Sequence, residues 1–231
     1  MQMEKQIDFE GDFATDYDAI AQKIIPAYDA IYELSQHILM ESLGKKAKVL
    51  VAGSGTGKEI IDYSRNNPHW HLTGFDPAEK MLSIARCKIN AASLQNRISL
   101  VQGLIDDVDE KGFDAATSIL VMHFLQDDGS KSNFLKGISE KLKAGALIVL
   151  VDLEGVPGSE EYDTFNAAWK NQQIFTRGDN ERVLEEFIIR EDEVHFISQS
   201  RIESLLKEAG FIKINKFFKA YLFGGYVAIK K

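Results

Sequence analysis

Residues Val49-Leu50-Val51-Ala52-Gly53-Ser54-Gly55-Thr56-Gly57-Lys58-Glu59 join a short apolar run, from Lys48 to Ala52, to a helical pattern over Lys58–Asn66. A buried strand therefore runs through a glycine-rich turn into a helix. Glycines in such a turn let the backbone reverse sharply and approach a ligand closely. The helix N-terminus beyond it offers unpaired N–H groups and the positive end of a dipole. Working outward, His69–Phe75 reads as a strand ending at Asp76, and Pro77–Ala92 as a helix with Pro77 in its first turn. Strands follow at 98–101, 113–120 and 146–153, with a helix over 131–142. Strands alternating with helices predict an α/β fold, a doubly wound, Rossmann-like, mostly parallel sheet. Ligands bind such sheets outside the carboxyl ends of the strands.

The glycine spacing sorts three ligand classes. A P-loop requires glycine at 52 and Ser or Thr after the lysine, but Ala52 and Glu59 stand there. The dinucleotide fingerprint requires glycine at 58; Lys58 stands there and the third glycine comes one place early, which weakens NAD without eliminating it. The remaining pattern, Gly53-x-Gly55-x-Gly57, suits S-adenosylmethionine, which has no pyrophosphate to accommodate. Asp76, 19 residues after Gly57, is placed to accept hydrogen bonds from ribose hydroxyls. The competing structural role is a helix cap.

Residues 47–153 resemble the class I S-adenosylmethionine-dependent methyltransferases. The resemblance lies in Gly53–Gly57, in Gly74-Phe75-Asp76-Pro77-Ala78-Glu79-Lys80-Met81-Leu82, in Phe113–Leu120 and in the turn Leu142-Lys143-Ala144-Gly145-Ala146-Leu147. The flanks Tyr17-Asp18-Ala19-Ile20, Ile25-Pro26-Ala27-Tyr28 and Leu206–Phe211 are similar to the tRNA uridine-34 carboxy-S-adenosylmethionine transferases. The resemblance implies a cofactor site formed by Tyr28, Gly53, Ser54, Gly55, Gly57, Asp76, Pro77, Met81, Leu104, Ile105 and Ile119. Tyr28 enters that set only through the flanking subgroup. There are departures. Leu104 stands where an acid near the adenine is typical, with Asp106 as a fallback partner, and Ile119 stands where asparagine is expected. The arginine that would hold an extra cofactor carboxylate has no match in register, Arg201 being the nearest. Plain S-adenosyl-L-methionine is accordingly favoured over its carboxylated relative.

Methyl transfer from a sulfonium needs alignment more than a catalytic dyad. His123, just after the fourth strand, is the candidate base; helix or loop packing is the simpler role for it. His195 is a weaker candidate. Asp152 and Glu154 read first as solvated loop carboxylates. His69 and His71 share a strand face without a third ligand, so no metal is expected.

The segments around this core are read as an N-terminal helical lid (1–45) broken at Pro26, a cofactor-binding core (46–155), a helical insertion (156–198) and a C-terminal helix with two strands (199–231), all in one domain. Gly224-Gly225 suggests a bulge in the last strand. In the insertion, Phe165, Trp169, Phe175, Leu184, Phe187 and Ile188 form an apolar face, either core packing or a pocket wall. The 231 residues are 45% hydrophobic and 27% charged, and carry a net charge of −8. That charge disfavours nucleic acid as a partner without excluding it, although Lys207, Lys213, Lys216 and Lys219 cluster near the C-terminal strands. The lone cysteine, Cys87, reads as a small buried hydrophobe and rules out an internal disulfide. No apolar run reaches the ~18 residues of a membrane span, and the N-terminal residues carry no signal-like segment, so a cytoplasmic protein is expected. The leading expectation is a methyltransferase acting on a small molecule, its aromatic cap and N-terminal helices compatible with a homodimer. A tRNA wobble-uridine carboxymethyl- or methyltransferase and a catalytically silent cofactor-binding partner subunit are the alternatives.

Overall fold

The computed structural model describes residues 9–11, 13–178, 183 and 193–231. Strands β1 (Ala47–Ala52), β2 (Trp70–Asp76), β3 (Ile98–Gln102), β4 (Phe113–Ile119), β5 (Leu142–Leu153), β6 (Phe211–Ala220) and β7 (Phe223–Lys230) form one sheet in the order β3-β2-β1-β4-β5-β7-β6. β1 to β5 pair in parallel, and β7 lies antiparallel between β5 and β6. Helices α3 (Lys58–Asn66), α4 (Glu79–Ala91) and α5 (Ser130–Lys141) lie between consecutive strands. The strand order reverses at β1, so the crevice between the ends of β1 and β4 is the topological switch point.

Side chains alternate across a strand, and here both faces are buried. Leu50 and Ala52 pack on one face with Leu135 and Ile138 of α5 and with Ile202 and Leu205 of α7 (Gln199–Glu208). Val49 and Val51 pack on the other with Ile60 of α3, Ala85 of α4 and Leu39 of α2 (Tyr28–Ser42). Gly210 follows α7 with φ +87°, the left-handed stop its sequence position predicts.

α1 (Phe13–Ile24) and α2 are separated at Pro26, and the chain passes through Ala27 at φ +57°. Proline removes a backbone donor and ends α1. α6 (Glu160–Arg177) joins this layer: the Trp169 indole N–H donates to the Ile24 carbonyl at 2.6 Å and its ring meets Phe223 edge-on at 4.9 Å. Phe165 packs against the same cluster, whereas Phe175 is 93% exposed. Leu184, Phe187 and Ile188 lie outside the described residues.

Several local expectations change. Pro77 precedes α4 instead of opening it, because the Asp76 carboxylate turns the chain by accepting the Ala78 N–H at 2.9 Å. β5 starts at Leu142, the turn before it being absorbed as a register shift against β4. The bulges of the last hairpin fall in β6, between Ile212 and Asn215 and between Lys216 and Phe218. Gly224 instead permits close approach: a Cβ there would lie 2.2 Å from Glu154 Oε2. Cys87 is exposed on α4. Among the described residues no helix is long and apolar enough to cross a membrane, and no group of three metal-ligating side chains forms.

Candidate functional site

A cavity of about 900 Å³ opens at the switch point, within the range of small-molecule sites. Its floor is the loop from β1 to α3. Gly53 and Gly55 take φ +64° and +50°, in the left-handed region that favours glycine. At Gly53 a Cβ would also lie 2.3 Å from Val121 Cγ2, so the loop passes directly under the β4 end. Asp76 anchors the loop: its Oδ2 accepts the Gly55 N–H at 2.9 Å while its Oδ1 holds Ala78. Burial pushes the Asp76 carboxyl up, opposed by these two N–H donors. Asp76 is thus not the cap of α4, which begins three residues later at Glu79; it turns the chain ahead of that helix, and a carboxylate with about four acceptor sites can still anchor a ligand.

The cavity brings together ten of the eleven expected positions, with Leu104, Ile105 and Asp106 at the β3 end and Ile119 at the β4 end. Gly57 stands apart; it precedes α3 at φ +85° and faces Ala85 of α4. The N-terminal helices form the roof. Asp18 of α1 accepts the Thr56 hydroxyl at 2.5 Å and pairs with Lys88 of α4 at 2.5 Å. Glu10 caps α4, accepting the Glu79 and Lys80 N–H groups at 2.6 and 3.0 Å, where the helix dipole favours an anion. Tyr17, which also borders the cavity, has its phenol pushed up to about 12, first by burial and then by Asp18 and Asp76.

His123 is buried and does not border the cavity; its neighbour Phe124 does. Its Nδ1 lies 2.8 Å from Asp152 Oδ1. Asp152 is fully buried and accepts the backbone N–H groups of Met122, His123 and Leu153. It is a brace between β5 and the turn after β4, not a solvated loop carboxylate. His195 joins the same corner, its N–H donating to the His123 carbonyl. Glu154 is also buried, held by Lys216 and Tyr226 behind Gly224.

The most informative residue that motif reading missed is Glu59. It lies in the first turn of α3, is 5% exposed, and borders the cavity. Burial pushes its carboxyl up to about 7, with the hydroxyls of Thr117 and Tyr63 pulling the other way. The folded protein therefore binds a proton here that the unfolded chain has lost. By linkage, this group's contribution to stability is fully present below about pH 4.5 and is lost as pH rises through about 7. Melting curves from pH 5 to 8 should show that decline, and Glu59→Gln should flatten it; an unchanged slope would remove Glu59 as its source.

The cavity suits S-adenosylmethionine on its own polar groups. Asp76 keeps free lone pairs for ribose hydroxyls, and Ser54 Oγ and Glu59 Oε1 are buried with no hydrogen-bond partner among the described residues. Such orphans cost stability unless something meets them. Comparison with known proteins agrees. A methyltransferase-domain profile matches residues 50–148. Among solved structures, a candidate S-adenosyl-L-methionine-dependent methyltransferase of Methanococcus maripaludis superposes with TM-score 0.66 at 20% identity, covering 100% of this chain and 97% of the other. The methyltransferase SibL gives TM-score 0.62 at 17% identity, covering 87% of this chain and 56% of SibL; at these identities both show the fold alone. Residues 50–148 thus match a methyltransferase domain, and the chain takes a fold shared with S-adenosylmethionine-dependent methyltransferases. Over its whole length the chain also resembles proteins named carboxy-S-adenosyl-L-methionine synthase. The one from Campylobacter hominis is 26% identical over 245 residues, covering 99% of this chain and 97% of the relative.

Proposed function

We propose that the protein transfers the S-methyl group of S-adenosylmethionine to a small neutral or cationic acceptor enclosed beneath α1 and α2. The observation that carries this reading is the charge of the cavity. Its described lining sets the carboxyl groups of Asp18, Asp76, Asp106, Glu140 and Glu193, besides the partly protonated Glu59, against only Lys58 and Lys136. An acid-rich wall suits a sulfonium cofactor and repels an anionic acceptor such as RNA. Two of the lysines near the C-terminal strands are also engaged, Lys216 with Glu154 and Lys219 with Glu161.

The bound cofactor supplies an electrophilic methyl group on sulfur. The protein's part is positional. The glycine loop and Asp76 fix the nucleoside, the Asp18–Thr56 contact latches α1 over it, and the roof excludes water. With a tritiated S-methyl group and a cell extract, label is expected in metabolites that pass an ultrafiltration membrane. Label retained on RNA would contradict the proposal.

A second reading, carboxy-S-adenosyl-L-methionine synthesis, draws on the whole-length likeness to the Campylobacter hominis relative. Against it, Arg201 is clasped by Asp127 at 2.9 and 3.0 Å and by Glu208 at 2.9 Å, and no arginine borders the cavity among the described residues. Mass spectrometry of the nucleoside released from purified protein separates the two: plain S-adenosylmethionine or its demethylated product fits the first reading, a carboxylated cofactor the second.

A further inference from the structure

Asp76 at the end of β2 and the apolar residues after β3 take the nucleoside end of the cofactor, so strand order sends the amino-acid end toward β1 and β4. The group buried there is Glu59. It follows the glycine loop directly, and Thr117 of β4 lies beside it. Its Oε1 makes no hydrogen bond among the described residues, and the hydroxyls of Thr117 and Tyr63 lie close enough to favour its charged form without Thr117 closing a bond to it. A buried carboxyl with an oxygen left unbonded at the edge of a cavity is arranged for a cationic donor that the protein itself does not provide. The cofactor's α-ammonium is such a donor. We infer that Glu59 receives that ammonium and so reads the amino-acid end of the cofactor.

This assignment rests on the S-adenosylmethionine reading and adds a proton to it. In the empty site burial keeps the Glu59 carboxyl partly protonated near neutral pH. When the ammonium arrives, the carboxyl gives its proton to solvent and the resulting carboxylate pairs with the ammonium. The titratable groups facing Glu59 are Tyr32 of α2 and Tyr63 of its own helix. Burial pushes both phenols far above neutrality, so neither competes for that proton. Lys58, the adjacent cation, is paired with Asp29 and Asp62 at 3.3 and 3.4 Å, its ammonium over the Tyr28 and Tyr32 rings.

The test uses two nucleosides, S-adenosylhomocysteine, which carries the ammonium, and methylthioadenosine, which lacks the whole amino-acid end. Calorimetry at pH 7 in buffers of different ionisation enthalpy should show proton release with the first and none with the second. Glu59→Gln should abolish the release and weaken S-adenosylhomocysteine roughly tenfold or more, leaving methylthioadenosine unchanged. Glu59→Asp should recover part of the release. Buffer-independent enthalpy in the unsubstituted protein overturns the assignment even if the variants fold poorly, and so does equal weakening of both nucleosides by Glu59→Gln. Failure of the unsubstituted protein to bind either nucleoside overturns the cofactor reading itself, an outcome distinct from binding without proton release.

Discussion

Asp76→Ala is expected to weaken S-adenosylmethionine binding by about 2–3 kcal/mol, roughly 30- to 150-fold. Two losses combine. The ribose hydroxyls lose a charged acceptor, and the Gly55 N–H, held at 2.9 Å by Oδ2, is released so that the glycine loop is no longer tethered to β2. The Ala78 N–H at the start of α4 is freed as well. Asp76→Asn keeps one oxygen acceptor and should fall between the variant and the original. Because burial raises the Asp76 carboxyl, affinity should also decline as pH falls through its titration, a decline that Asp76→Ala removes. Calorimetry measures both effects. Unchanged affinity in Asp76→Ala would reduce Asp76 to a tether between loop and helix.

Asp152→Ala should give the largest loss of stability, about 3–5 kcal/mol, because it strips the acceptor from buried donors on two sides of one corner. Met122, His123 and Leu153 each present a backbone N–H within 2.7–3.1 Å of this carboxylate, and the His123 ring stands at 2.8 Å. For a chain of this size that corresponds to a melting temperature lower by roughly 6–20 °C. Asp152→Asn, with one oxygen left, should lose less. His123→Gln should cost far less than Asp152→Ala and leave cofactor affinity unchanged, since the ring lies behind the cavity wall. A loss of binding in His123→Gln without a loss of stability would move His123 into the site. A melting temperature unchanged by Asp152→Ala would show that the corner does not depend on this carboxylate.

The parts of the site that could be read from sequence are those fixed by local chemistry. A strand, three glycines and a helix define the cradle within eleven residues, and Asp76 ends the neighbouring strand. The parts that could not be read depend on which distant segments meet. Glu59 sits beside the motif, but only β4 and α2 closing over it bury its carboxyl. Asp152 looks like a loop acid until the turn at Met122 and His123 folds onto it, some 30 residues away in sequence. Trp169 finds its acceptor at Ile24, 145 residues away, a contact that no periodicity announces. Gly224 and Gly225 signalled an irregularity, yet the irregularity lies in the partner strand, because the glycines serve close packing against Glu154 and Phe218.

The crevice between β1 and β4 is expected to hold S-adenosylmethionine through the glycine loop and Asp76. Isothermal titration of the purified, nucleoside-free protein with S-adenosylmethionine, S-adenosylhomocysteine and NAD tests it directly. The expected result is one S-adenosyl nucleoside bound per chain, weakened by Asp76→Ala, with no heat from NAD. Binding of NAD alone, or of neither S-adenosyl nucleoside, would contradict it.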